Sequence, residues 1–277
     1  LHTGMTLDAS AEKSPGLATT QLMVEGARSI EEAKALCDAN TPAAGWIINL
    51  ADVVTGSPRS AWLEVAPGAN TCHLTFAEGV MISNNHYKVA ANLAREIHVG
   101  PSWDQNSPDR GARARQAIEE KLGADHSHKL SLPDVAAIMA DRMDLTLGRP
   151  HAIAPGAVAS IEQIKAVVFS PLTREVFISD GRAPPAARGR FIRVHFDDFE
   201  NLEQFATRDT SEDFQAEDAV RGTNGDLTRY PAYEPYLAAT LKLDGHSRYD
   251  VGAALPFLEQ AVAAEPAEPL VRLMRGF

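Results

Sequence analysis

The sequence predicts an α+β fold in which helices are layered on antiparallel sheet, followed by a helical extension. Three observations carry this. Short alternating runs recur at hairpin spacing between residues 46 and 83. A helical stretch precedes them and two capped helices follow, so helices and strands come in blocks, unlike a doubly wound parallel sheet. After about residue 199 strand patterning ends, and residues 200–221 hold seven Asp or Glu against Arg208 and Arg221. The predicted division is therefore a layered domain over 1–199 and a helical tail over 200–277.

Residues 17–40 carry helical periodicity, and Ser29-Ile30-Glu31-Glu32 has the pattern of a capping box. Trp46 to Asp52 and Ala61 to Val65 read as strands around Thr55-Gly56-Ser57-Pro58. Thr71 to Phe76 and Val80 to Ser83 read as a second pair across Glu78-Gly79. Ser107-Pro108-Asp109 predicts a helix with Ser as N-cap and Pro at N1, running to about Lys121 before Gly123. Ser131-Leu132-Pro133-Asp134 opens another, with Leu132, Val135, Ile138 and Met139 on one side. Strands return at Ile164 to Phe169, Glu175 to Ile178 and Phe191 to Phe196. In the tail, Tyr230, Tyr233, Leu237 and Leu241 form one helical stripe, and Val251, Leu255, Leu258 and Val262 form another. That pair is similar to a single tetratricopeptide unit, a repeat that needs about three neighbours to be stable, so it reads as a tail packed on the main domain.

A chain of 277 residues with 44% hydrophobic and 23% charged content can bury a substantial core. Its net charge of −11 argues against nucleic acid or an anionic membrane as the main partner, since both demand clustered Lys and Arg. No run of 18 apolar residues is present to span a membrane. Two cysteines, Cys37 and Cys72, are too few for a disulfide scaffold and suit a reducing compartment; each reads as a core residue. The expectation is a cytoplasmic protein. Leu1-His2-Thr3-Gly4 reads as the middle of a longer protein, so that expectation says nothing about a signal peptide.

The stretch most suggestive of chemistry is Gly79-Val80-Met81-Ile82-Ser83-Asn84-Asn85-His86-Tyr87. Apolar residues end there in amides and an imidazole. Asn84 or Asn85 could aim a side-chain NH2 at the oxygen of a tetrahedral intermediate, as an oxyanion hole requires. A turn accounts for the same pair, because asparagine tolerates left-handed geometry and caps strand ends. Ser107 and Arg110 could hold a substrate carboxylate or orient a nucleophile; an N-cap and a solvated helix face, shared with Arg113 and Arg115, account for them equally. His126-Ser127-His128 beside Asp125 is the one local histidine cluster, and it lacks the spacing of a metal site. No metal or cofactor is expected. Phosphate-cradling glycine loops, dinucleotide fingerprints and Gly-x-Ser-x-Gly elbows are missing, and neither cysteine sits in a setting that would lower its pKa.

Four blocks in order resemble a known family. They are Ala27-Arg28-Ser29-Ile30-Glu31-Glu32-Ala33, Gly45-Trp46-Ile47-Ile48-Asn49-Leu50-Ala51-Asp52, Ser83-Asn84-Asn85-His86-Tyr87, and Ser107-Pro108-Asp109-Arg110 followed by Leu132 to Asp141. Together they span roughly residues 1–196, and they resemble the acyl-coenzyme A:6-aminopenicillanic-acid acyltransferase family of N-terminal-nucleophile (Ntn) hydrolases. The resemblance implies a four-layer αββα sandwich, self-cleavage before a cysteine, and attack by that cysteine on an acyl group with its own α-amino group as base. It implies that Asn85 supplies the oxyanion-hole amide, with Asn84 as the register alternative. It also puts His86, Tyr87, Ser107 and Arg110 at the substrate. Leu1 cannot be a nucleophile, so the nucleophile is expected on a segment before it, and the chain alone is expected to be inactive.

The expected function is acyl transfer or amide hydrolysis on small N-acyl compounds through a cysteinyl thioester. The expected partners are an N-acyl or acyl-CoA substrate and the preceding segment or subunit, with a second copy of the chain as a further option. Two readings from other classes stand beside it: a non-catalytic module binding a protein through sandwich and tail, and a metal hydrolase built on His126 and His128.

Overall fold

A computed structural model describes residues 2–3, 6, 9–54, 56–66, 71–97, 101–123, 129–146, 148–150, 157–159, 163, 165–179, 190–197, 214–215, 232–243, 250–266, 271–272 and 275. The fold is mixed α and β with antiparallel sheets. Two compact units are present: Leu1–Arg115 with Val168–Phe177 and Arg193–Asp209, and Gln116–Val167 with Ile178–Ile192 and Thr210–Phe277. Residue 199, the predicted boundary, falls inside the last stretch of the first unit. Among the described residues no helix is long and apolar enough to cross a membrane.

The first unit is organised by one four-stranded sheet in the order β1 (His2–Thr3), β2 (Trp46–Val54), β3 (Ser57–Ala66), β4 (Thr71–Phe76). Val54 pairs with Ser57, which leaves two residues for the β2–β3 turn, and Gly56 takes the φ of 81° that such a turn needs. Side chains alternate across the sheet. Ile48, Leu63, Val65 and Cys72 face helices α1 (Gly16–Gly26) and α2 (Ile30–Ala39), packing with Met23 and Ala33. On the opposite face, Ile47 and Ala66 pack with Tyr87.

The predicted helical run is thus two helices, broken where Ser29 caps the second. The Ser29 hydroxyl accepts the Glu32 N–H at 3.2 Å, while the Glu32 carboxylate reaches the N–H of Arg28 (2.8 Å). Asp52 of β2 accepts the Ile30 N–H at 2.9 Å, so the sheet itself satisfies a further donor at this helix start. Arg59, opposite Asp52 in the β2–β3 register, forks onto both Asp52 (2.6 and 3.0 Å) and Glu31 (2.8 and 3.0 Å). Its hydrogen bonds hold the Glu31 carboxyl at about 2 and lower that of Asp52.

Two sequence expectations are corrected in this unit. Cys37 and Cys72 are buried as expected but are joined as a disulfide, with Cα atoms 6.3 Å apart. Periodicity placed each in a core without revealing that the end of α2 lies over β4. Asp38 reinforces the same junction by accepting the Cys72 N–H at 2.9 Å. The predicted strand over Val80 to Ser83 does not form; β4 is the last strand of the sheet, and the chain beyond it runs irregularly. Its polar groups bond to side chains instead of a neighbouring strand.

In the second unit, α5 (Leu132–Met139) starts with a complete capping box. The Ser131 hydroxyl accepts the Asp134 N–H (3.2 Å), and Asp134 accepts the Ser131 N–H (3.1 Å). A two-stranded ribbon follows, β5 (Met143–Asp144) with β6 (Arg149–Pro150). The tail supplies α6 (Tyr233–Leu243) and α7 (Val251–Ala264), which share a cluster of Ala232, Tyr236, Ala239, Ala254, Leu258 and Ala261. The predicted stripe on α7 is off by part of a turn. Val251 and Leu255 are exposed, and two alanines flank Leu258 in the buried face. Small side chains allow the helices to approach closely, a feature that a search for large apolar residues overlooks. Tyr230 lies outside the described residues.

A second four-stranded sheet has the order β10 (Phe214–Gln215), β9 (Arg190–His195), β8 (Glu175–Ser179), β7 (Val167–Ser170). β7, β8 and β9 match three predicted strands within three residues at each described end. β10, paired with β9 at Phe191 and Arg190, is a strand in the acidic stretch where none was predicted.

Two outcomes follow for stability. Reduction of the disulfide, which closes a 35-residue separation, is expected to cost about 4 kcal/mol by the loop-entropy relation; urea unfolding with and without reductant measures it, and coincident midpoints would contradict the linkage. Because the folded pKa values of Glu31 and Asp52 lie below their unfolded values of about 4, their contribution is complete at neutral pH. It is lost as pH falls from about 4 through the folded value of about 2. Arg59→Leu should flatten this acid dependence of the urea midpoint.

Candidate functional site

The candidate residues are held on one segment and one helix of the first unit. The segment 82–89 lies against the sheet because of Glu64. This side chain, 0% exposed near the C-terminal end of β3, accepts the N–H of Lys88 (2.7 Å), the N–H of Val89 (2.9 Å) and the indole N–H of Trp62 (3.1 Å). A buried carboxylate is costly unless its oxygens are hydrogen-bonded in this way. Lys88 extends over the Trp62 ring at 5.1 Å and donates to the Ile82 carbonyl. Tyr87 is buried, and its hydroxyl donates to the Val65 carbonyl at 2.9 Å. Ser83 donates to the Asn49 carboxamide oxygen at 2.7 Å, which ties the segment to β2 as well.

Helix α4 (Pro101–Leu122) forms the other wall. It begins seven residues before Pro108, the predicted first helical residue, so Ser107 is no N-cap and Pro108 lies inside the helix. A proline already occupies the first helical position at Pro101, which suits a site where no N–H is needed. Buried Ser107 instead receives the segment: its hydroxyl accepts the Asn85 N–H at 2.8 Å, and its carbonyl accepts the Asn84 NH2 at 3.0 Å. Gly111 makes room for that contact, since a Cβ there would stand 3.1 Å from the Asn84 amide nitrogen.

The two asparagines therefore differ. The Asn84 amide is committed at both ends, donating to Ser107 and accepting the His86 N–H at 3.3 Å. The Asn85 carboxamide accepts from the Arg110 guanidinium at 2.8 Å through its oxygen. That contact settles which end of the carboxamide is oxygen, and so directs its NH2 away from Arg110. Arg110 lies on α4 one turn after Ser107, which puts both beside Asn85.

His86 pairs through Nδ1 with a carboxylate oxygen of Glu96, and the second Glu96 oxygen accepts the Tyr87 N–H at 3.3 Å. Sequence reading missed Glu96 and Glu64. Arg95-Glu96 looks like ordinary solvated charge, whereas Glu64 had a signal: a carboxylate inside the apolar run Ala61 to Val65 needs a buried partner.

Among the described residues no group of three His, Cys, Asp or Glu is placed to hold a metal ion, and Asp125, His126 and His128 lie outside them. A cleft of about 330 Å³ opens where α1 and α2 meet β2, with Met23, Ala27, Arg28, Ile48 and Asp52 in its lining. None of Asn84, Asn85, His86, Tyr87, Ser107 or Arg110 lines it. No protein-family model, curated protein or solved structure matches the chain.

Removing the Glu64 carboxylate should release the segment. Glu64→Ala leaves two backbone donors and one indole donor unpaired and is expected to cost about 3 kcal/mol or more. Glu64→Gln, which retains one acceptor, should cost less. Urea unfolding gives the size, and faster amide exchange at Lys88 and Val89 gives the location; unchanged exchange there would rule the anchor out.

Proposed function

We propose that the chain is part of an Ntn-type acyltransferase or amidohydrolase acting on small N-acyl compounds, with Asn85 as the oxyanion-hole donor. The observation that carries this reading is the Asn85 carboxamide, whose oxygen is taken by Arg110 and whose backbone N–H is held by Ser107. A donor fixed before the reaction needs no reorganisation as negative charge develops, which is where such groups derive their effect. Asn84, whose carboxamide oxygen meets the His86 N–H and no guanidinium, is the register alternative.

The nucleophile in this proposal is a cysteine on a segment preceding Leu1. Cys37 and Cys72 are unsuitable, since both sulfurs are buried and bonded to each other. The wider fold proposed is the four-layer αββα sandwich. Support for it comes from the sheet of the first unit, with α1 and α2 on one face and apolar residues on the other. Acyl transfer differs from hydrolysis only in whether an amine or water attacks the thioester.

In the complete protein, a new N-terminal Cys produced by self-cleavage is expected by mass spectrometry. Asn85→Ala should lower turnover of an N-acyl substrate about 10²–10³-fold with unchanged unfolding. Turnover within a few-fold of wild type would return the amide to a structural role, and an uncleaved protein would favour a non-catalytic binding module.

A further inference from the structure

The disulfide lies directly behind the anchorage of the candidate site. Cys72 stands opposite Val65 in the β3–β4 register, and the Val65 carbonyl accepts the Tyr87 hydroxyl at 2.9 Å. The preceding residue, Glu64, is opposite His73 and holds the N–H groups of Lys88 and Val89. Leu63 and Val65, on either side of Glu64, pack in the same cluster as both cysteines. On the helix side, Cys37 lies near the end of α2, where its neighbour Asp38 accepts the Cys72 N–H. One covalent bond and one hydrogen bond therefore clamp α2 to β4. β4 is the outer strand of its sheet, so among the described residues no further strand holds it against β3. Both cysteines are buried, at 0% and 1% exposure. A bond so enclosed is formed while the chain folds, and it resists exchange with thiols in water afterwards.

We propose that the candidate site is completed by oxidation: the Cys37–Cys72 disulfide is the tie that positions the segment carrying Asn85 and His86, and the protein acquires it in an oxidising compartment. The two thiols give up two electrons and two protons by thiol–disulfide exchange. The co-reactant, glutathione disulfide or the disulfide of an oxidoreductase, takes them up and becomes two thiols. As a count, two cysteines suit a reducing compartment. Joined and buried, they suit an oxidising one, where such bonds persist. The proposal concerns how the site is assembled and stands whichever reaction the site performs. One consequence does rest on the acyl-transfer reading: with the chain's two cysteines bonded to each other, the cysteine proposed as nucleophile meets no disulfide partner among these residues.

The test is refolding of the chain from denaturant, in dithiothreitol alone or in a buffer of oxidised and reduced glutathione, followed by amide exchange. In the reduced chain, exchange at Lys88 and Val89 should accelerate about tenfold or more relative to the Ile30 N–H, which Asp52 holds at the opposite end of α2. Cys37→Ala combined with Cys72→Ala, which removes the bond without a reductant, should give the same pattern. A reduced chain that folds only when glutathione disulfide is added would equally support assembly by oxidation. Unchanged exchange, or equal acceleration at all three amides, would overturn the positioning role. In the complete protein, alkylation with N-ethylmaleimide inside its own cells should leave Cys37 and Cys72 unmodified and linked in the peptide mass spectrum. Two alkylated cysteines would overturn the oxidising compartment.

Discussion

A carboxylate with no exposure to water, placed near the end of a strand, is the constraint on which the rest of the candidate site depends. Glu64 stands on the face of β3 opposite the helices, where an apolar side chain would be the ordinary occupant. Its oxygens are filled by consecutive backbone donors of Lys88 and Val89 and by the Trp62 indole. The segment 82–89 therefore does not need to be a strand to be held rigidly. Tyr87, buried against Ile47 and Ala66, adds apolar contact to the same attachment.

From that anchorage the placement of the polar groups follows step by step. Once residues 87–89 are fixed on the sheet, Asn84 and Asn85 are delivered to α4, where one serine receives both. Ser107 serves with its hydroxyl and its carbonyl, and Arg110, one turn later, donates to the carboxamide oxygen of Asn85. Two chemically identical neighbours thus acquire different roles. The difference comes from which atoms of α4 each one meets, not from their own chemistry. Glu96 performs the same service for His86 from the far side of a short helix, α3 (Ala90–Leu93).

Much of the local structure was legible in the chain. The caps at Ser29 and Ser131, the β2–β3 hairpin and the strands β7, β8 and β9 depend on contacts between residues near in sequence, and their patterns identify them. The failures share a cause. The disulfide, the absent strand after Gly79 and the alanine face of α7 each depend on a partner many residues away. Ser107-Pro108 illustrates the point: it has the composition of a helix start, yet the serine faces Asn85 and the helix is already under way.

By itself, then, the amino-acid order determined the alternation of the strands, the helix caps, the acidic charge balance and the cluster of amides and imidazole at 84–86. These are properties of neighbours along the chain. Only the tertiary structure decided that Asn85 and not Asn84 has its carboxamide oriented by an arginine, that the two cysteines are joined, and that His86 is paired with Glu96. The physical reason is that a hydrogen bond or a disulfide depends on ångström-scale distance and direction. Residues 10 to 35 positions apart acquire those only when the sheet and its helices have packed.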